Sequence, residues 1–149
     1  MSQNITSILN DLIEISKDGE EGFSAAAEDS KNAELQAMFL RRAGDCASGA
    51  DELQQLVAGR GDEPEGSGTV AGAVHRGWIN LKAAISGRTD LAILEECERG
   101  EDVAKASYSK ALKHTLPEDI RIVVQRQYEG VVSNHDQIRN LRDRYRATS

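Results

Sequence analysis

Two prolines and two cysteines are all that this 149-residue chain holds of the residues that most constrain a backbone, and each scarcity closes a class of architecture. Cys46 and Cys97 lie too far apart for a Cys-x-x-Cys zinc or redox motif and are too few for a secreted disulfide framework; both read as reduced, buried thiols. No apolar run approaches the roughly 18 residues of a membrane-spanning helix, and no basic segment followed by an apolar one opens the chain. The expectation is a cytoplasmic protein with no membrane partner. Positive charge is in deficit as well, with 18 Lys and Arg against 25 Asp and Glu and a formal charge of −7. A nucleic-acid binder needs a clustered basic face to neutralise phosphates, so no nucleic-acid partner is expected. The basic run Arg139, Arg142, Arg144 and Arg146 falls in the last turns of a predicted helix, where cations favour the macrodipole. No Walker or dinucleotide glycine fingerprint occurs, and no Ser-His-Asp or Cys-His arrangement can be assembled from the spacing, which argues against nucleophilic catalysis.

What the chain does hold is helical. Ala, Leu, Glu, Lys, Gln and Arg are abundant, and β-branched alternation is scarce. Ile5, Ile8, Leu9, Leu12, Ile15 and Phe23 keep the three-and-four spacing of one buried stripe, predicting a helix from about Asn4 to Glu28. Asp29, Ser30 and Asn32 form a turn cluster with N-cap candidates, after which Leu35, Met38, Phe39, Cys46, Leu53, Leu56 and Val57 resume the period to about Gly59. The segment 59–68 is rich in glycine, contains Pro64 and reads as a mobile loop. Its Arg60-Gly61-Asp62 tripeptide is a chance match to an integrin motif. From Val70 to Ile85 the helical period restarts, predicting a crossover helix over about 69–86. Thr89 or Asp90 caps a third long helix with Leu91, Leu94, Cys97, Ala104, Tyr108 and Leu112 on one side, running to about His114. Thr115-Leu-Pro-Glu118 is a capping-box sequence with proline in the first turn, so a fourth helix follows at once, its stripe Ile120, Val123, Val124, Val131, Ile138, Leu141 and Tyr145. Short connections within each pair and a long one between them predict a single all-α domain over 1–149, an antiparallel four-helix bundle with a long, partly helical crossover between helices two and three.

A helical wheel singles out the polar groups that point inward. Glu101 lies between Cys97, Ala104 and Tyr108 at the centre of its helix's apolar face, with Glu98 toward one edge. An ionised carboxylate left unpaired there would cost several kcal/mol or hold its proton to higher pH. It needs a cation, a proton or a metal. Counting outward from each hairpin turn brings Glu20 level with Arg42 and Asp45. It also brings Glu101 level with Val131, with Gln127, Tyr128, Asn134 and His135 within about one turn. Arg42 falls near the middle of its apolar face, and Glu20, Asp45 and His135 at the margins. Two chemistries follow. Glu20, Asp45, Glu98, Glu101 and His135 can be ligands for iron, manganese or zinc, as inward groups are in carboxylate bundles. Alternatively Arg42, with its fork of donors, serves Glu101 or Glu20, and Arg42, Glu101 and Gln127 form a structural polar layer. The structural version is preferred. Glycines 19, 22, 44, 49, 100 and 130 lie inside predicted helices at a cost of roughly 1 kcal/mol each, which close helix approach would offset.

The segments Asp18-Gly-Glu-Glu-Gly-Phe23, Gly72-Ala-Val-His-Arg-Gly-Trp-Ile-Asn-Leu81 and Glu95-Glu-Cys-Glu-Arg-Gly-Glu-Asp102, with Gln127-Tyr128 and His135-Asp136, resemble an uncharacterised bacterial family of ferritin-like four-helix-bundle proteins, a domain of unknown function. The resemblance runs over nearly the whole chain and implies a ferritin-like fold. The wider ferritin and rubrerythrin superfamily implies one glutamate on each of two helices and Glu-x-x-His on each of the other two. Here Asp45 is followed three residues later by Ser48, and the residue three before His135 is Val132. Both motifs are broken, so an intact di-iron centre is not expected. In the crossover, His75 and Trp78 share one helix face and read as an anchor onto the bundle. The resulting expectation is a non-enzymatic, ferritin-like homo-oligomer of structural or protein-interaction role. The alternative is a metal-binding bundle with a remodelled site and oxidase or storage activity.

Overall fold

In the computed structural model, residues 2–61 and 88–148 are described, with side chains from Ile5 onward. Four helices and no strand occur among them: α1 (Ser2–Asp29), α2 (Ala33–Gly59), α3 (Asp90–Leu112) and α4 (Glu118–Thr148). The loop around Pro64 and the crossover expected at 69–86, with His75 and Trp78, lie outside the described residues.

The helix ends follow local chemistry. The Asn32 side chain accepts from the backbone amides of Glu34 at 2.8 Å and Leu35 at 3.1 Å, satisfying two of the donors that the first turn of α2 leaves over. Thr89 does the same for Ala92 at 3.2 Å. At the start of α4 the amides of Ile120 and Arg121 bond the Pro117 carbonyl. Proline therefore precedes the helix instead of sitting in its first turn, because its carbonyl, unlike its missing N–H, is free to cap. The turn between α1 and α2 is tied to the start of α3: the Ser30 hydroxyl and the Lys31 amide both donate to Asp90, at 3.1 and 2.9 Å.

α1 packs against α2 and α3, α4 against α3, and α2 more sparsely against α4. Contacting pairs run in opposite numerical order along neighbouring helices. Between α3 and α4 they are Glu95 with Arg146, Glu98 with Arg142, and Tyr108 with Gln127. Between α1 and α3 they are Ser30 with Asp90 and Ser16 with Tyr108. The arginine run near the end of α4 is thus engaged in part by acidic residues of α3.

The buried apolar side chains divide into two clusters. One gathers Phe23, Phe39, Ile93, Leu94, Cys97 and Ile138; its two phenyl rings lie 6.1 Å apart. The other gathers Leu9, Leu12, Ile13, Leu53, Ile120 and Val124. Along every helix the residues between the two sets include polar ones, among them Ser16, Glu52, Glu101 and Asn134, which belong to the polar networks described next.

Candidate functional site

Glu101 of α3 is 2% exposed, which is unusual for a carboxylate, and α2 and α4 each supply it with a partner. From α2, Arg42 places Nη2 3.5 Å from both Glu101 oxygens. From α4, Asn134 donates to Oε2 at 2.8 Å. The Arg42 guanidinium also lies 5.8 Å above the Phe23 ring of α1, a cation–π placement. Burial alone would make Arg42 easier to deprotonate, but Glu101, with Cys46 and Asp45, outweighs it and holds the group more firmly charged than usual. For Glu101 the balance goes the other way. Burial raises its pKa, and Arg42 and Asn134 only partly offset the rise, because two long contacts cannot replace the water that the carboxylate has lost.

A second chain of polar contacts runs beside this pair. The Tyr108 hydroxyl donates to Gln127 at 2.7 Å and stands 3.4 Å from the Ser16 hydroxyl. Gln127 in turn donates to the Gly49 carbonyl at 3.3 Å and to Glu52 at 2.9 Å, and Glu52 is also paired with Arg126. Between the two networks is a cavity of about 280 Å³. Arg42, Asp45, Gly49, Glu101, Tyr108 and Gln127 are among the residues that line it, Glu101 and Tyr108 buried and Asp45 exposed. The sparse α2–α4 packing leaves this space.

Of the residues singled out from sequence, Arg42 and Glu101 are brought into contact, while Gln127 reaches the layer through Tyr108. Glu98 pairs with Arg142 and lies 3.8 Å from His135. His135 is buried instead of marginal, with Nε2 2.6 Å from Asp102 and Nδ1 3.3 Å from Asp136. Asp45 stands exposed at the cavity rim, and Glu20 is half-buried on α1. Among the described residues no group of three or more His, Cys, Asp or Glu side chains is placed to hold a metal ion. The donors do not fit one, since the oxygens of Glu101 face Arg42 and Asn134 and Glu98 faces Arg142. The sequence reading did not assign roles to Tyr108, Asp102 and Glu52. The available signal for Tyr108 was its hydroxyl, because a buried tyrosine needs a partner. Asp102 is exposed and Glu52 half-buried, and neither gave one.

Both cysteines are free and buried. Burial pushes the Cys46 thiol up to about 12 and the Cys97 thiol well above its ordinary range, so neither is a nucleophile at neutral pH. No helix among the described residues is long and apolar enough to cross a membrane.

A family model described as a domain of unknown function (DUF2383) matches residues 4–114. The chain belongs to that family. No curated protein matches it. The span matched to the DUF2383 family contains α1, α2 and α3, hence Arg42 and Glu101. Asn134, Gln127 and His135 come from α4, beyond it.

Proposed function

We propose that the chain is a single-domain, antiparallel four-helix bundle of the ferritin-like kind that acts without catalysis, as a structural or protein-interaction module, with an arginine in the position where related bundles hold a metal. The observation that supports this reading is Arg42 within 3.5 Å of both oxygens of Glu101. A fixed positive charge on α2 supplies the counter-charge that the buried carboxylate of α3 requires, leaving no reason for a divalent ion there. The opposed order of the interhelical contacts supports the antiparallel arrangement. The homo-oligomer expected from the sequence belongs to the same proposal, and light scattering across a concentration series tests it.

Titration with iron, manganese and zinc, on protein purified without chelators or an affinity tag, tests the central point. The expected result is no stoichiometric binding in the wild type, together with strong coupling between Arg42 and Glu101 in denaturant unfolding. Saturable binding that Glu101→Gln or His135→Ala abolishes and Arg42→Met spares would replace this reading with that of a remodelled metal site with oxidase or storage chemistry.

A further inference from the structure

His135 is the buried titratable group that the reading above leaves without a role. It is 6% exposed, and both of its ring nitrogens face carboxylates. Nε2 lies 2.6 Å from Asp102 and 3.8 Å from Glu98 of α3, and Nδ1 lies 3.3 Å from Asp136 of its own helix. An ionised carboxylate only accepts, and a neutral imidazole carries one N–H. The contacts to Asp102 and Asp136 are therefore both hydrogen bonds only in the imidazolium. In the neutral ring one nitrogen turns a lone pair toward an anion. Neither nitrogen is left for a substrate, so this arrangement does not make a general base. The surrounding charges are largely matched without the ring. From α3, Glu98 is paired with Arg142 and Glu101 with Arg42 of α2, and Lys105 acts on Asp136. From α4, Arg139 lies 3.6 Å from Asp136. Asp102 remains, and among the described residues its hydrogen-bond partner is His135. The Asp136 carboxyl is held below its ordinary range, chiefly by the hydrogen bond with His135.

The cluster sits where it can act on the helix pair. Glu101 and Asp102 are adjacent on α3, as Asn134 and His135 are on α4, so the His135 contact lies beside the Asn134–Glu101 hydrogen bond. Toward the end of α4 the further ties to α3 are Glu98 with Arg142 and Glu95 with Arg146. The second of these is about half exposed on both sides and holds weakly. Carboxylates and guanidiniums keep their charge through neutral pH, whereas an imidazole changes its own there. We propose that His135 is a proton-operated clasp between α3 and α4. Protonated, it bonds Asp102 across the helix pair and Asp136 along α4. On losing the proton it gives up one of the two, and the end of α4, residues 137–148, opens locally more often. The clasp is complete below the titration of the ring and is lost as pH rises through it. The inference rests on the reading above in one respect, that these carboxylates face nitrogen and arginine and not a metal.

Hydrogen–deuterium exchange of the full chain over about pH 5 to 8, corrected for the intrinsic pH dependence of exchange and run with and without a chelator, tests it. The charge of the ring is followed in parallel by the NMR signal of the His135 Cε1 proton. Protection over residues 137–148 is expected to fall about two- to fivefold as pH rises, with the midpoint of the His135 titration and with no effect of the chelator. The modest size reflects the exposure of Asp102 and Asp136. His135→Gln is expected to remove that component, and so is Asp102→Asn, a change at an exposed position that leaves the apolar clusters untouched. The titration of Glu101 persists in both variants, so comparison with the wild type subtracts it. Unchanged protection across the His135 titration, a midpoint displaced from it, or survival of the component in Asp102→Asn would overturn the proposal alone. A component that the chelator abolishes would overturn it together with the reading it rests on.

Discussion

Glu101 gives up almost all of its hydration and receives in return one short bond from Asn134 and two long ones from Arg42. Removing the cation should expose the imbalance: Arg42→Met is expected to destabilise the fold by about 3 to 5 kcal/mol, and the double change with Glu101→Gln to recover much of that, because the stranded charge is then gone. Urea unfolding of the two single variants and the double variant measures the coupling. Additive losses would mean that Arg42 is not Glu101's counter-charge. The pH dependence carries a definite sign. Burial lifts the Glu101 pKa above its ordinary 4.5 despite Arg42 and Asn134, so over that window the folded state holds a proton that the unfolded state has released. Stability from this group is therefore highest below the ordinary carboxylate range and falls as pH rises through the raised pKa. The stability of the wild type relative to Glu101→Gln should accordingly decline as pH rises from 4.5 through the raised pKa. A rise over the same interval would show that Arg42 and Asn134 outweigh the lost hydration.

Within the helices, glycines separate into those the packing needs and those it does not. A Cβ on Gly19 would lie 2.9 Å from the Cys46 sulfur, so α1 and α2 approach there only because the side chain is missing. A Cβ on Gly44 would meet nothing within 4 Å. Gly44→Ala is expected to stabilise the protein by about 0.5 to 1 kcal/mol through helix propensity alone. Gly19→Ala should destabilise it in spite of the same propensity gain, with Cys46→Ala restoring much of the loss; thermal melts of the three variants and the double mutant check this. Equal effects at positions 19 and 44 would mean that the helices do not touch as described. At the start of α2, Asn32→Ala removes the acceptor for two amides and should cost about 1 kcal/mol. These helix boundaries were readable because capping and periodicity act over a few residues. The distinction between Gly19 and Gly44 was not, because it depends on which neighbouring helix lies opposite.

At the scale of the molecule, α4 begins beyond the span matched to the family, yet Ile120, Val124, Val131 and Ile138 are core residues in both apolar clusters. A chain ending at Lys113 is therefore expected to lose cooperative unfolding, since each buried aliphatic side chain contributes roughly 1.5 to 3 kcal/mol and the whole protein has only about 5 to 15 to spare. Circular dichroism and calorimetry of that truncation decide it; a sharp two-state melt would show that α1 to α3 stand alone. The helical character of the chain followed from its sequence, since composition, turn residues and apolar spacing all act locally and agree with one another. So did the burial of Glu101, because a wheel places a residue on a face without knowledge of what lies across from it. Which partner meets that residue was a different matter. Counting along the helices brought Arg42, Asn134 and His135 to one depth, but a rise of 1.5 Å per residue fixes depth and not rotation about the axis. The packing of four helices turned Asn134 to Glu101 and His135 to Asp102. It also left α2 and α4 far enough apart to open a cavity, a feature that belongs to no single segment of the sequence because it exists only between side chains remote from one another along the chain.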